Sequence, residues 1–232
     1  MEKTMKALAI DSATPVMTVA AMNGDSIVSA SYDMGMRQSE MILPGVEYIL
    51  SAAGIKSQEL DFTAICSGPG SFTGLRLGFS VLKAIEAAAG IPIYGIPTLH
   101  IYAEPFLQAG CPVIPAIDAK KDRFYSCAYM DGELTAEDGD YSAEEIMQFT
   151  SGHRNILVCG PDSGLLKGRL ASMTPEMNIM DMGGGGQLNS GKTLLLKGRS
   201  LFESGAAPLR DFDGPDYMRA SEAEIKLHAP HK

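Results

Sequence analysis

Clusters of basic residues are missing from this 232-residue chain, and Asp and Glu outnumber Lys and Arg 28 to 19, for a formal net charge of −9. An acidic surface repels phosphate backbones, so the chain is not expected to bind nucleic acid unaided. Paired metal ligands are missing too. Cys66, Cys111, Cys127 and Cys159 form no Cys-x-x-Cys and have no histidine at ligand spacing, which argues against a zinc or redox motif and for buried reduced thiols. No apolar run approaches the roughly 18 residues of a membrane span. The run 5–10, interrupted by Lys6 and stopped by Asp11, is too short for a signal peptide, so a cytoplasmic protein without a membrane partner is expected. At 45% hydrophobic the chain can still bury a sizeable core, as one domain or two small lobes.

What is present includes a phosphate-loop pattern. GQLNSGKT, residues 186–193, reads Gly-x-x-x-x-Gly-Lys-Thr. A phosphate-loop domain needs further strands after its loop, one of them carrying a magnesium-binding Asp, and here one helix-like run and a turn-rich tail follow Thr193. The expectation is that 183–186 is a flexible lead-in, that Ser190 caps a helix ending at Gly205, and that Lys192 binds no nucleotide.

The chain also repeats itself. Ala9-Ile10-Asp11 followed by TVAAMNGD returns as Ala116-Ile117-Asp118 followed by YSCAYMDGE. Each predicts a strand ending in Asp and a second strand closing on a hairpin pair, Asn23-Gly24 or Asp131-Gly132. Further along, CSGPGS at 66–71 echoes CGPDS at 159–163, each after a short apolar strand. This order predicts two lobes descended from one unit. Ile42, Val46, Ile49, Leu50 and Ala53 recur at helical spacing and stop at Gly54; Leu75, Phe79, Leu82, Ile85 and Ala89 do the same and stop at Gly90. With strands 64–66 and 91–96, the second helix completes a right-handed strand-helix-strand unit. The division is a first lobe over 1–105, a smaller second lobe over 106–214 and a polar tail over 215–232.

Two turns carry candidate chemistry. In SGPGSFTGLRLG, 67–78, glycines 68, 70 and 74 permit tight turning and close approach, and the following helix N-terminus offers free amides to an anion; equally, Gly-Pro-Gly is a turn and nothing more. Arg76 opposes the helix dipole there, which a carboxylate or phosphate partner would explain. At the first hairpin, Asp11, Ser12 and Thr14, with Asp118 as second-lobe counterpart, are candidate nucleotide-binding residues for hydrated magnesium and phosphates; alternatively Ser12 and Thr14 satisfy turn amides.

MKALAIDSAT, RQSEMILPGVEYIL, ICSGPGSFTGLRLG, VIPAIDAKKDRFYSCAYMDGE and GPDYMRASEAEIK together resemble the TsaB (YeaZ) family over most of the chain. The resemblance implies an α/β, duplicated actin-like fold of the acetate kinase, sugar kinase and Hsp70 type. It also implies a noncatalytic subunit that binds and activates a TsaD-type catalytic subunit, with a TsaE-type ATPase, in forming threonylcarbamoyladenosine beside the tRNA anticodon. On this reading the complex uses ATP and magnesium, the chain alone binds no cofactor or metal, and tRNA is met only through the complex. Gly68, Pro69, Gly70, Ser71, Phe72, Thr73, Gly74, Leu75 and Arg76 become the partner-binding residues, with Phe72 either an anchor or tucked into the core. The isolated chain is expected to form a homodimer through the same face.

One departure is Gln38 where the family often has His. TsaD-type subunits also carry a His-x-x-x-His metal motif, which His100, His153, His228 and His231 do not form. The alternative from another class is an ATP-dependent phosphotransferase of the same fold, for which GPDSG at 160–164 is the sole adenosine-binding candidate. Arg76→Glu or Gly74→Trp is expected to abolish complex formation and spare the isolated fold.

Overall fold

Strand residues alternate between two apolar faces, and that alternation builds the layers. The computed structural model describes residues 4–183 and 189–219. The first sheet contains β1 (Lys6–Asp11), β2 (Val16–Asn23), β3 (Ser26–Asp33), β4 (Phe62–Gly68) and β5 (Ile93–Pro97), in the order β3-β2-β1-β4-β5. Its first three strands form an antiparallel meander, and β4 and β5 add in parallel. The second contains β6 (Val113–Lys120), β7 (Arg123–Met130), β8 (Glu133–Ser142), β9 (Asn155–Cys159) and β10 (Asn178–Asp181). Its order, β8-β7-β6-β9-β10, repeats the first strand for strand. The expected duplication and the actin-like α/β fold are therefore what the chain adopts, and the two echoed Asp residues sit on the two central strands.

Among the described residues six α-helices fill the space: α1 (Gln38–Ala53), α2 (Phe72–Ala89), α3 (Thr98–Ala103), α4 (Ala143–Phe149), α5 (Ser163–Met173) and α6 (Ser190–Glu203). Leu8, Ile10 and Ile65 point outward and pack under α1 and α2 with Ile42, Ile49, Phe79 and Leu82. Ile114, Ala128, Ile156 and Val158 do the same under α4 and α5 with Ile146, Leu166 and Leu170. The opposite strand faces look toward each other and share one core, in which Ala7, Ala9, Ala64 and Cys66 meet Leu99, Val113, Cys127, Leu157 and Leu194. The stops predicted for α1 and α2 hold, with Gly54 and Gly90 as caps in the left-handed region at φ 66° and 69°, whereas α6 is capped by Asn189 rather than Ser190 and ends at Glu203. The second hairpin turns on Asp131-Gly132 as expected; the first turns one residue later than expected, on Gly24-Asp25.

Helix α6 is sited by small residues. The inner face of the first sheet is alanine-rich, so a helix bearing glycine can approach closely. A Cβ on Gly191 would lie 2.8 Å from Ala20 Cβ, and one on Gly198 2.8 Å from Ala64 Cβ. Phe202 at its end stacks on Phe62 at 5.3 Å between centroids. Thus the helix that a contiguous division assigns to the second lobe covers the sheet of the first, while α3, from the first half, lies against β6 and β7 of the second.

After α6 the chain runs back over the first lobe. The Leu209 amide donates to the Ile93 carbonyl at 2.8 Å and the Asp216 amide to the Ser67 carbonyl at 2.7 Å. Arg219 then reaches the second sheet, pairing with the Asp140 carboxylate and donating to the Ala119 carbonyl. No helix among the described residues is long and apolar enough to cross a membrane.

Candidate functional site

The turn between β4 and α2 is shaped by what presses on it. Gly68 stands at φ 130°, and a Cβ there would meet the Asp216 carbonyl oxygen at 2.2 Å. At Gly70 the obstacle would be the Ala13 carbonyl at 2.4 Å, at Gly74 the Ser12 carbonyl at 2.1 Å, and at Gly78 the Ser12 hydroxyl at 2.5 Å. The glycines let α2 lie directly on the turn that joins β1 to β2. Two amides of the turn are engaged within the chain: Ser71 N donates to Ala13 O at 2.6 Å, and Ser71 Oγ caps the helix by accepting from Gly74 N at 3.2 Å. Because Gly74 is buried against backbone, Gly74→Trp would break the fold, contrary to the expectation that it spares it.

Phe72 is neither sunk in the core nor bare. Its ring lies 4.7 Å from that of Tyr217, the Arg76 guanidinium sits 3.8 Å above it, and Arg76 Nε donates to the Tyr217 hydroxyl at 3.0 Å. An aromatic face holds the cation that the helix dipole disfavours, with no carboxylate paired to it among the described residues. Of the candidate partner-binding residues, Ser71, Thr73 and Arg76 are exposed, Phe72 and Gly70 half-buried, and Gly68, Pro69, Gly74 and Leu75 buried.

Alongside, α1 carries two large apolar side chains on its outer surface, Leu43 at 58% and Tyr48 at 64% exposure. Sequence reasoning missed them because attention fell on the inward stripe; the available signal was apolar residues lying off that stripe. Gln38 opens α1 buried, its side-chain amide donating to the Thr14 carbonyl, so it fastens α1 to the same β1–β2 turn.

The candidate nucleotide-binding residues occupy two different settings. Asp11 is 1% exposed. Burial pushes its carboxyl above the ordinary range, against hydrogen bonds from Ser190, the Ala13 amide and Tyr102 that favour the ionised form. The Tyr102 hydroxyl donates to Asp11 Oδ2 at 3.1 Å and reaches Thr14 Oγ1 at 3.4 Å. Ser12 Oγ is buried with no hydrogen-bond partner among the described residues. Asp118 is half-buried and ion-paired with Lys120 at 2.6 Å; burial raises its carboxyl, but Lys120 outweighs that and holds it below the usual value. The loop residues 186–188 of the phosphate-loop pattern, with His228 and His231, lie outside the described residues. Its remaining part is a helix start: Asn189 Oδ1 accepts from Lys192 N at 3.0 Å, and Gly191 is packed on the sheet.

These features define the class: a two-lobed actin-like protein with a tightly packed β4–α2 turn and two large apolar side chains exposed on its first helix. A family model described as "TsaD: tRNA N6-adenosine threonylcarbamoyltransferase" matches residues 35–153, half of the chain, and the chain belongs to that family. Several of its curated relatives carry the TsaB name. It is 34% identical over 132 residues to the tRNA threonylcarbamoyladenosine biosynthesis protein TsaB of Escherichia coli, covering 56% of this chain and 57% of that one. With the Bacillus subtilis protein of the same name it shares 26% identity over 96% of this chain and 97% of the other. The match thus spans a little over half of the E. coli relative and nearly all of the B. subtilis one. Among solved structures, YeaZ from Pseudomonas aeruginosa superposes with a TM-score of 0.72 at 22% identity, covering 92% of this chain and 99% of that one, a likeness of fold.

Proposed function

We propose that this chain is a noncatalytic subunit in the formation of threonylcarbamoyladenosine on tRNA, which docks on a TsaD-type catalytic subunit and activates it. The observation that carries this reading is the α1–α2 face of the first lobe, where Leu43 and Tyr48 stand exposed on α1 beside the helix that bears Phe72 and Arg76. Large apolar side chains in the open favour a protein partner, and aromatic and arginine anchors are the residues that commonly dominate such contacts. The names of the relatives supply the pathway. Burial of Asp11 beneath Tyr102 favours the scaffold over a phosphotransferase, because a carboxylate so enclosed offers no open face to hydrated magnesium. With a net charge of −9, tRNA contact through the complex is the reading that electrostatics supports. ATP, magnesium and a TsaE-type ATPase belong to the complex, and the isolated chain pairs with a second copy through the same face.

Calorimetry of the purified chain with the TsaD-type subunit of the same organism tests this. Tight association is expected, with Tyr48→Glu and Arg76→Glu each weakening it at least tenfold (~1.4 kcal/mol) while circular dichroism stays unchanged, since both side chains are exposed. Wild-type affinity in both variants would remove this face from the reading, and ATP hydrolysis by the isolated chain would move the function to a phosphotransferase.

A further inference from the structure

Three side chains from three separate elements converge at the seam between the halves. His100 projects from α3, Cys127 from β7 and Asp138 from β8, and one ligand atom of each lies within 4.8 Å of the other two. His100 Nε2 is 3.0 Å from Asp138 Oδ1, and the Cys127 sulfur lies within 4.8 Å of both. Sheet geometry delivers the carboxylate. Ser126 pairs with Gly139 and Ala128 with Ala136, so Glu137 and Asp138 together oppose the single residue Cys127. A bulge of this kind re-aims a side chain that regular pairing would send elsewhere, and such devices concentrate next to sites.

We propose that His100, Cys127 and Asp138 bind one zinc-class divalent cation, which clips the α3 helix of the first half to the β7–β8 hairpin of the second. The donor set is a borderline-soft one: imidazole nitrogen, thiolate sulfur and carboxylate oxygen are the three ligand types zinc takes, and three protein ligands leave the fourth tetrahedral position to water. The spacing fits with little movement. Zinc bonds of about 2.0–2.1 Å to nitrogen and oxygen at tetrahedral angles separate those two atoms by about 3.3 Å, a few tenths more than the distance present. Charge fits as well, because a thiolate and a carboxylate together neutralise a dication in a half-buried setting. On binding, the S–H bond of Cys127 breaks, the sulfur bonds the metal and the proton leaves to solvent.

The surroundings suit the role. Cys127 is fully buried, while the side chains of His100 and Asp138 are 35% and 20% exposed, which leaves an entry path from one side. The Tyr129 ring meets His100 edge to face at 5.8 Å and so orients that ligand. Glu104 and Glu137 add negative potential nearby. Spacing along the chain concealed the cluster: the second ligand follows the first by 27 positions, with no repeat of a short motif. It shares no residue with the Asp11 setting or the β4–α2 turn, so the proposal does not rest on the proposed function.

The test uses the isolated full-length chain, stripped with chelator and titrated with Co²⁺. The expected result is one equivalent bound, with the intense visible bands of tetrahedral cobalt and a near-ultraviolet thiolate-to-cobalt charge-transfer band, both bleached by Zn²⁺. Cys127→Ser should remove the charge-transfer band, Cys111→Ser should keep it, and His100→Gln and Asp138→Asn should each weaken Zn²⁺ binding at least tenfold. The two partly exposed positions remain decisive if Cys127→Ser does not fold. Absence of the charge-transfer band in the wild type, its survival in Cys127→Ser, or unchanged Zn²⁺ affinity in both His100→Gln and Asp138→Asn would overturn the site and leave a metal-free hydrogen-bonded triad.

Discussion

Asp11 shows how one residue type carries opposite meanings according to its surroundings. At the end of a central strand it reads as a ligand for phosphate-bound magnesium, yet its carboxylate is enclosed by Tyr102, Ser190 and its own turn. Its folded pKa is raised, so the folded state holds the proton more tightly than the unfolded chain. The associated stability is therefore complete below the ordinary carboxylate pKa of about 3.9 and is lost as pH rises through the folded value. Asp11→Asn, which keeps an acceptor for the Ala13 amide and removes the desolvated charge, is expected to be more stable than wild type at neutral pH and to flatten this part of the pH dependence. Urea denaturation of both proteins from acid to neutral pH checks it; parallel stability curves would contradict the prediction. The sequence reveals the residue and its strand-end position. It does not reveal Tyr102, which arrives from 91 positions away on helix α3.

At the level of elements, α1 and α2 are readable because helical periodicity and a terminal glycine are local signals. So are the central strands and the second hairpin. The segment after α6 is unreadable for the converse reason: it is polar and turn-rich, and its placement depends on a few anchors, Leu209, Asp216, Tyr217 and Arg219, whose partners are all distant in the chain. Those anchors matter because the segment lies on Phe72 and Arg76, at the edge of the proposed docking face. Tyr217→Ala removes one aromatic contact and one hydrogen bond, and should cost about 1 kcal/mol while loosening the segment from α2. Hydrogen exchange reads this directly at the Asp216 amide, now bonded to the Ser67 carbonyl; equal protection in mutant and wild type would mean that the segment is held by its other contacts alone. The candidate site follows the same rule: the glycine turn is conspicuous in the sequence, whereas the surface it belongs to comes from packing.

For the molecule as a whole, the contiguous division into lobes does not describe how the core is shared. Ala7, Ala64, Cys127 and Leu194 belong to one apolar cluster, although they come from opposite ends of the chain. A core held in common predicts one cooperative transition rather than two. Because the chain has no tryptophan, single reporters at Tyr48→Trp and Phe149→Trp would watch one sheet's helices each, and their denaturation midpoints are expected to coincide. Separate midpoints would mean that the halves fold independently. The reciprocal loan of helices, α6 to the first sheet and α3 to the second, has a further meaning. An exchange of this kind is self-complementary: one ancestral half carries both a helix to lend and a sheet to receive one, so two separate copies satisfy each other as a domain-swapped dimer. The present chain has the arrangement of such a dimer joined end to end, each half completed by a helix of the other.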